Sequence, residues 1–259
     1  MTDDEKELLK VTAEATLKPL GNLLERLFGG AVDQLGGEWE DRLRARRFLR
    51  RAKVYAKLKR QLDDAGIDPQ EIPEKIWVPA LQAASLEDDE SLQDKWASLL
   101  AHAGDPRATS TRSDMFPKVL ANLTAREAKI LDLYFDVAAR RVPEGAGSRD
   151  PHLISTLSSI DATMIGSVLE VRGFAWSDDT EKEKALGRFI TEGLIHLQRK
   201  FNDSGATALA KKISTSEKLP THLTSDMRRL FNEYYSLTLF GVHFVMACRP
   251  PIQSPGSAQ

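Results

Sequence analysis

The chain has 259 residues, of which 41% are hydrophobic, 29% charged and 7% aromatic, with a formal net charge of −2. This balance is too apolar for a disordered chain and too charged for a membrane protein, and the length suits two domains of roughly 100 to 200 residues each. The longest uncharged apolar stretch, Tyr234 to Cys248, falls short of the roughly 18 to 20 residues that cross a bilayer. The start, Met1 to Glu7, is acidic where a secretory signal is basic and then apolar. A single cysteine, Cys248, leaves no intramolecular disulfide and suits a reducing compartment. A cytoplasmic protein without a transmembrane segment is expected.

From about Asp3 to Gly37, Leu9, Leu17, Leu20, Leu24, Leu27, Phe28, Val32 and Leu35 keep a three-four spacing that predicts a helix bent at Pro19. The pairs Gly29-Gly30 and Gly36-Gly37 would share one helix face, which suits close packing; a hinge or a membrane-surface contact is the alternative. A second helix, about Glu38 to Ala65, places Phe48, Ala52, Tyr55 and Leu62 on one stripe and ends at Gly66. Ile76 to Ala84 reads as a short apolar helix. Ser85-Leu-Glu-Asp-Asp-Glu90 opens the next with capping residues and first-turn acids. That helix carries Leu92, Trp96, Leu99 and Leu100 on one side, so Trp96 is expected in a core, and Gly104-Asp105-Pro106 stops it. The polar run from Arg107 to Asp114 reads as a linker. The expected organisation is a helical domain at 1–106, a linker at 107–116, a second domain at 117–251 and a disordered tail at 252–259.

In the second domain, Thr124-Ala-Arg-Glu127 is a capping box ahead of Ile130, Leu131, Tyr134, Phe135 and Val137. A Pro-Gly loop spans Pro143 to Asp150, and His152 to Val171 reads as one or two short helices. Thr180-Glu-Lys-Glu183 opens a helix that runs to about Glu192 and is capped by Gly193. Leu194 to Phe201 and Glu233 to Thr238 alternate as strands, and Leu239 to Cys248 forms a closing helix before Pro250-Pro251. Helices, a last one ending in Gly-Leu-Ile, a strand, a loop and a returning strand follow the order of a winged helix-turn-helix, an order a small α+β domain could share. The expected fold class is mainly α, with an N-terminal helical domain followed by a C-terminal winged-helix-like domain that carries a small β-hairpin.

The pieces Leu35-Gly-Gly-Glu-Trp-Glu-Asp-Arg-Leu43, Ala83 to Ala101 with Trp96 at its centre, Glu192-Gly-Leu-Ile195 and Tyr235-Ser-Leu-Thr-Leu-Phe-Gly-Val-His-Phe-Val245 resemble the Abi-alpha (abortive infection alpha) family. The resemblance spans roughly Leu17 to Pro251, and its most specific element is the acidic-to-Trp96 helix. It implies a bacterial protein associated with phage resistance and supplies no catalytic residues to carry over. The segments it matches least are the linker and the insertion Asn202 to Pro220.

Catalytic chemistry finds little support. The histidines, His102, His152, His196, His222 and His243, include no pair at the spacing that puts two metal ligands on one helix face. There is no phosphate loop and no Gly-x-Ser-x-Gly elbow, and Cys248 sits in an apolar terminal segment where a small core residue belongs. Adjacent helical carboxylates diverge by about 100°, so Glu87 to Glu90 read as capping and dipole acids rather than a magnesium site. Asp178-Asp179 with Glu181 to Lys184 superficially resembles a nuclease carboxylate-lysine motif, but those lie on strands and this segment opens a helix. No cofactor, no metal site and no enzymatic activity are expected.

The basic helix is the most informative feature. Arg42, Arg44, Arg46, Arg47, Arg50, Arg51, Lys53, Lys57, Lys59 and Arg60 follow one another without an intervening acid. Such a run needs water, acidic neighbours or an anionic partner. The acids Glu87, Asp88, Asp89, Glu90 and Asp94 could serve as those neighbours, and nucleic acid phosphates, a membrane surface or an acidic protein could serve as the partner. Arg199 and Lys200, with Lys211 and Lys212, add charge in or near the wing. The helix Thr180 to Glu192 is near neutral, because Lys182, Lys184 and Arg188 stand among Glu181, Glu183 and Glu192. The leading expectation is a non-enzymatic binding or interaction protein of phage defence that engages a partner protein or a second copy of itself, with nucleic acid as a possible further partner of the basic helix. The alternative is a toxic effector that makes a peripheral contact with the inner membrane through the amphipathic N-terminal region; an unrecognised nuclease is a third reading.

Overall fold

The computed structural model describes residues 21–28, 42–108, 113–143, 150–161, 170, 178–201 and 231–252. The expectations that fall on Pro19, on the two glycine pairs, on the insertion 202–220 and on the tail beyond 252 lie outside these residues. Two compact units divide the chain: Met1–Lys129 with His243–Gln259, and Ile130–Val242. Among the described residues the architecture is mainly helical with one small antiparallel sheet.

The first unit holds α1 (Gly21–Phe28), α2 (Arg42–Asp64), α3 (Glu74–Ala84), α4 (Glu90–Gly104) and α5 (Phe116–Asn122). Helix α1 turns Leu24, Leu27 and Phe28 into the core, where the Phe28 ring lies 5.9 Å from Tyr55 and 5.2 Å from Trp77. Its last turn is tied down where the Leu27 carbonyl accepts from the Ile72 amide at 2.9 Å. Arg26 pairs with Asp68 at 2.6 Å and donates to the Pro69 carbonyl. Helix α2 ends as its sequence dictates, at Gly66 with φ +61°. Along α2, Ala52, Val54, Tyr55, Leu58 and Leu62 are buried, and the helix packs against α4. There Leu92, Trp96, Leu99 and Leu100 are buried as expected, with Trp96 1% exposed.

Several boundaries differ from expectation. Helix α4 starts at Glu90 with Asp89 as its cap, which accepts from the Ser91 and Leu92 amides at 2.8 and 3.1 Å; Ser85 instead terminates α3. Residues 116–122, expected at the end of a linker and beyond it, form α5, which packs beside α3 and brings the Phe116 ring within 5.6 Å of Phe244. The chain end also returns to this unit, with the His102 Nε2 3.0 Å from the Arg249 carbonyl. Residues 117–129 and 243–251 therefore belong with the first unit, whereas the sequence pattern suggests the second.

Helix α6 (Ala125–Ala139) opens with the expected capping box: Glu127 accepts from the Thr124 amide at 2.8 Å and Thr124 accepts from the Glu127 amide at 3.2 Å. The second unit continues with α7 (Pro151–Leu157), β1 (Ile160–Asp161), α8 (Asp179–Thr191), β2 (Ile195–Phe201) and β3 (Phe231–Leu237), and α9 (Leu239–Ala247) follows. Strand β1 lies within a segment expected to be helical. It pairs Ile160 with Tyr235 and makes β3 the central strand, in the order β1-β3-β2. Burial of Ser158 explains the switch, since its hydroxyl accepts from the Leu237 amide at 2.8 Å and ends α7 against the sheet. Asp178 rather than Thr180 caps α8, accepting from the Glu181 amide at 2.7 Å. Gly193, at φ +70°, lets the chain leave α8 directly into β2. Thr238 then joins the two ends, donating to the Gly193 carbonyl at 2.6 Å and capping α9 by accepting from the Gly241 amide at 2.7 Å.

Candidate functional site

The basic helix resolves into stripes with different fates. Arg50, Lys53 and Lys57 fall three and four residues apart on one side of α2, the side that meets the start of α4. Arg50 pairs with Asp88, Lys53 lies 3.9 Å from Glu90, and Lys57 pairs with Asp94 at 2.8 Å. Their remaining donors reach backbone: Arg50 Nη1 approaches the Ser85 and Leu86 carbonyls at 3.4 and 3.5 Å, and Lys57 Nζ donates to the Glu90 carbonyl at 3.0 Å. Gln61 extends the same stripe by one more turn, donating to the Asp94 carbonyl at 3.4 Å. The acids outrank the cations in exposure; Asp88 and Asp94 are 79% and 50% exposed against 24% and 20% for Arg50 and Lys57.

Arg46 and Arg47 face water and have no ion-pair partner among the described residues. Arg60, at the other end of the helix, is also exposed, while Lys59 is satisfied by Asp63 one turn on. Arg42 and Arg44 lie in the first turn of α2, with their side chains outside the described part. Arg51 turns partly inward beside Tyr55. Its Nε and the Tyr55 hydroxyl are buried without hydrogen-bond partners among the described residues. Burial pushes the Tyr55 hydroxyl well above its ordinary pKa, with the Arg51 charge pulling weakly the other way.

In the β2–β3 register Arg199 stands opposite Glu233 and Lys200 opposite Asn232, and successive strand positions alternate between faces. The Lys200 ammonium sits 4.9 Å over the Tyr234 ring, with His196 and Gln198 exposed along the same alternation. Helix α8 buries Ala185, Leu186 and Phe189 and leaves Glu183, Lys184, Gly187 and Arg188 exposed, an outward face of mixed sign.

No group of three or more His, Cys, Asp or Glu side chains among the described residues could hold a metal ion. Asp89 is held below its ordinary carboxylate pKa by its hydrogen bonds from Ser91 and the Leu92 amide, as a cap should be. Near the end of α4, burial holds His102 below its ordinary pKa, and its Nδ1 is unpartnered among the described residues.

The model of the family described as Abortive infection alpha matches residues 50–248. The chain belongs to the abortive infection alpha family. Neither a curated protein nor a solved structure matches it. Family membership points to a role in abortive infection, the bacterial defence against phage. The span matched to the abortive infection alpha family contains both sides of the α2–α4 charge contact, from Arg50 to Asp94, and the strands and helix of the second unit.

The sequence marks Arg60 as part of the basic run but does not sort its cations into exposed and acid-paired ones. The three-four spacing of Arg50, Lys53 and Lys57 was the available signal, because it marks one helix face.

Proposed function

We propose that this abortive infection protein works in the cytoplasm by binding rather than by catalysis, and that the outward cations of α2 contact nucleic acid phosphates. The observation that carries the reading is the exposure of Arg46 and Arg47 on the helix that also bears Arg42 and Arg44, without an ion-pair partner among the described residues. Solvated arginines clustered on a rigid helix suit phosphate oxygens, which they bind bidentately while releasing counterions. The second unit is proposed to be a winged helix. Helix α8 leading through Gly193 into β2, with a sheet ordered β1-β3-β2, supports this. Its near-neutral α8 suits a partner protein or self-association better than a duplex.

The membrane alternative is less favoured. No helix among the described residues is long and apolar enough to cross a bilayer, and the face that would enter lipid from one side is occupied: Leu24, Leu27 and Phe28 are 4%, 0% and 3% exposed. The direct test is fluorescence anisotropy with labelled duplex DNA, single-stranded DNA and RNA at low salt. Binding that weakens when Arg46 and Arg47 are replaced by Ala is expected. The absence of binding to all three probes at low salt would refute it.

A further inference from the structure

We infer that the acids Asp88, Glu90 and Asp94 act as a built-in competitor for phosphate, holding Arg50, Lys53 and Lys57 out of a larger anion-binding surface on α2. The inference rests on the nucleic-acid reading above and concerns how that surface is regulated. Two features of the contact support it.

The first is the division of labour at the start of α4. The helix is capped by Asp89, which accepts from the Ser91 and Leu92 amides, and Glu87 Oε1 accepts from the Asp89 amide at 2.9 Å. Asp88, Glu90 and Asp94 instead face the cations of α2. Asp89 supplies the cap, while Asp88, Glu90 and Asp94 neutralise the stripe, Glu90 being also the acid of the first turn.

The second is geometry and exposure. Arg50, Lys53 and Lys57 cover about 10.5 Å of helix axis, the length over which one strand of a duplex presents about three phosphates. The carboxylates opposite are well exposed, at 79%, 77% and 50% for Asp88, Glu90 and Asp94, so water screens each pair and a polyanion can replace the acid without opening the core. The buried contacts of Trp96 and Leu92 hold α4 in place while the acidic side chains swing aside. The backbone carbonyls of Ser85, Leu86 and Glu90 meanwhile keep Arg50 and Lys57 on this side of α2. Arg46 and Arg47 make the first contact, and the stripe is recruited when phosphate outcompetes carboxylate. Any change that removes negative charge from the start of α4 strengthens binding.

The test compares wild type, the triple variant Asp88→Asn, Glu90→Gln, Asp94→Asn, and the double variant Arg46→Ala, Arg47→Ala, each checked for helicity by circular dichroism. Affinity for labelled duplex DNA and single-stranded RNA is measured as a function of salt. The triple variant keeps the Asp89 cap and is expected to bind about tenfold or more tightly at low salt, with log K against log salt steeper by up to about 2.7 for the duplex and about 2.1 for the single strand, the values for three further phosphate contacts. A variant that binds where wild type does not would also support the competitor role, in its strongest form. If wild type binds and the triple variant matches it in affinity and slope, the competitor role is overturned while the nucleic-acid reading stands. If neither binds at low salt, both are overturned. Should the triple variant lose helicity, single Asp88→Asn and Glu90→Gln variants replace it, each expected to steepen the slope by about 0.9 for the duplex and about 0.7 for the single strand; an unchanged slope in both overturns the role.

Discussion

Helices α2 and α8 both carry several cations, and they reach electrical balance by different routes. In α8 the charges cancel within the helix, since Lys182, Lys184 and Arg188 are matched by Asp179, Glu181 and Glu183. In α2 no acid intervenes between Arg42 and Arg60, and balance comes partly from another helix: Asp88, Glu90 and Asp94 at and near the start of α4 neutralise one stripe and leave Arg46, Arg47 and Arg60 in water. The first kind of balance is fixed by the local sequence. The second exists only while α4 is seated, which makes it breakable and gives the surface of α2 a state that can change.

The strongest way to break the comparison is to unseat α4. Trp96 is 1% exposed, so Trp96→Ala should cost about 3 to 5 kcal/mol in a urea titration, through lost burial and the cavity left behind. A fully stable variant would place Trp96 outside the core that positions the acids. Next in size is Gly241→Ala, which would drive a Cβ into the Leu194 carbonyl beyond the end of α8; overpacking of this kind costs about 1 to 3 kcal/mol. Gly187 is its counterpart on the outward face of α8, with nothing within 4 Å of an added Cβ. Gly187→Ala should stabilise by about 0.5 to 1 kcal/mol, read as an increase in denaturation midpoint, because the added methyl meets no neighbour and alanine gives up less backbone freedom than glycine on entering a helix.

The smallest effect is on pH dependence. Burial lowers the pKa of His102 in the folded state, against about 6.5 when unfolded, so the unfolded chain binds the extra proton first. Stability attributable to this group is complete above about pH 6.5 and falls as pH drops through that value toward the folded pKa. His102→Gln should flatten that part of the stability profile measured between neutral and mildly acidic pH.

Much of the fold was legible because local chemistry decided it. Gly66 and Gly193 stop their helices at positive φ, Thr124 and Glu127 form the capping box, and the strand alternation of β2 and β3 matched the pairing to within a few residues. The misread elements depended on distant partners. Phe116 to Asn122 is too short to announce itself as a helix and is supported by α3 and by Phe244; Ile160–Asp161 is a strand only because β3 passes alongside. The candidate site was half legible for the same reason. The sequence showed the cations and the acids, but which cation meets which acid depends on how α2 and α4 cross.

The central claim is that exposed arginines of α2, and not the mixed face of α8, meet phosphate. The decisive measurement is the slope of log K against log salt for duplex DNA and RNA with wild type, Arg46→Ala/Arg47→Ala and Lys184→Ala/Arg188→Ala. Loss of two phosphate contacts should reduce the magnitude of the slope by about 1.8 for duplex DNA and about 1.4 for single-stranded RNA in the α2 variant and leave the α8 variant close to wild type. An unchanged slope in the α2 variant, or the full reduction in the α8 variant, would contradict it.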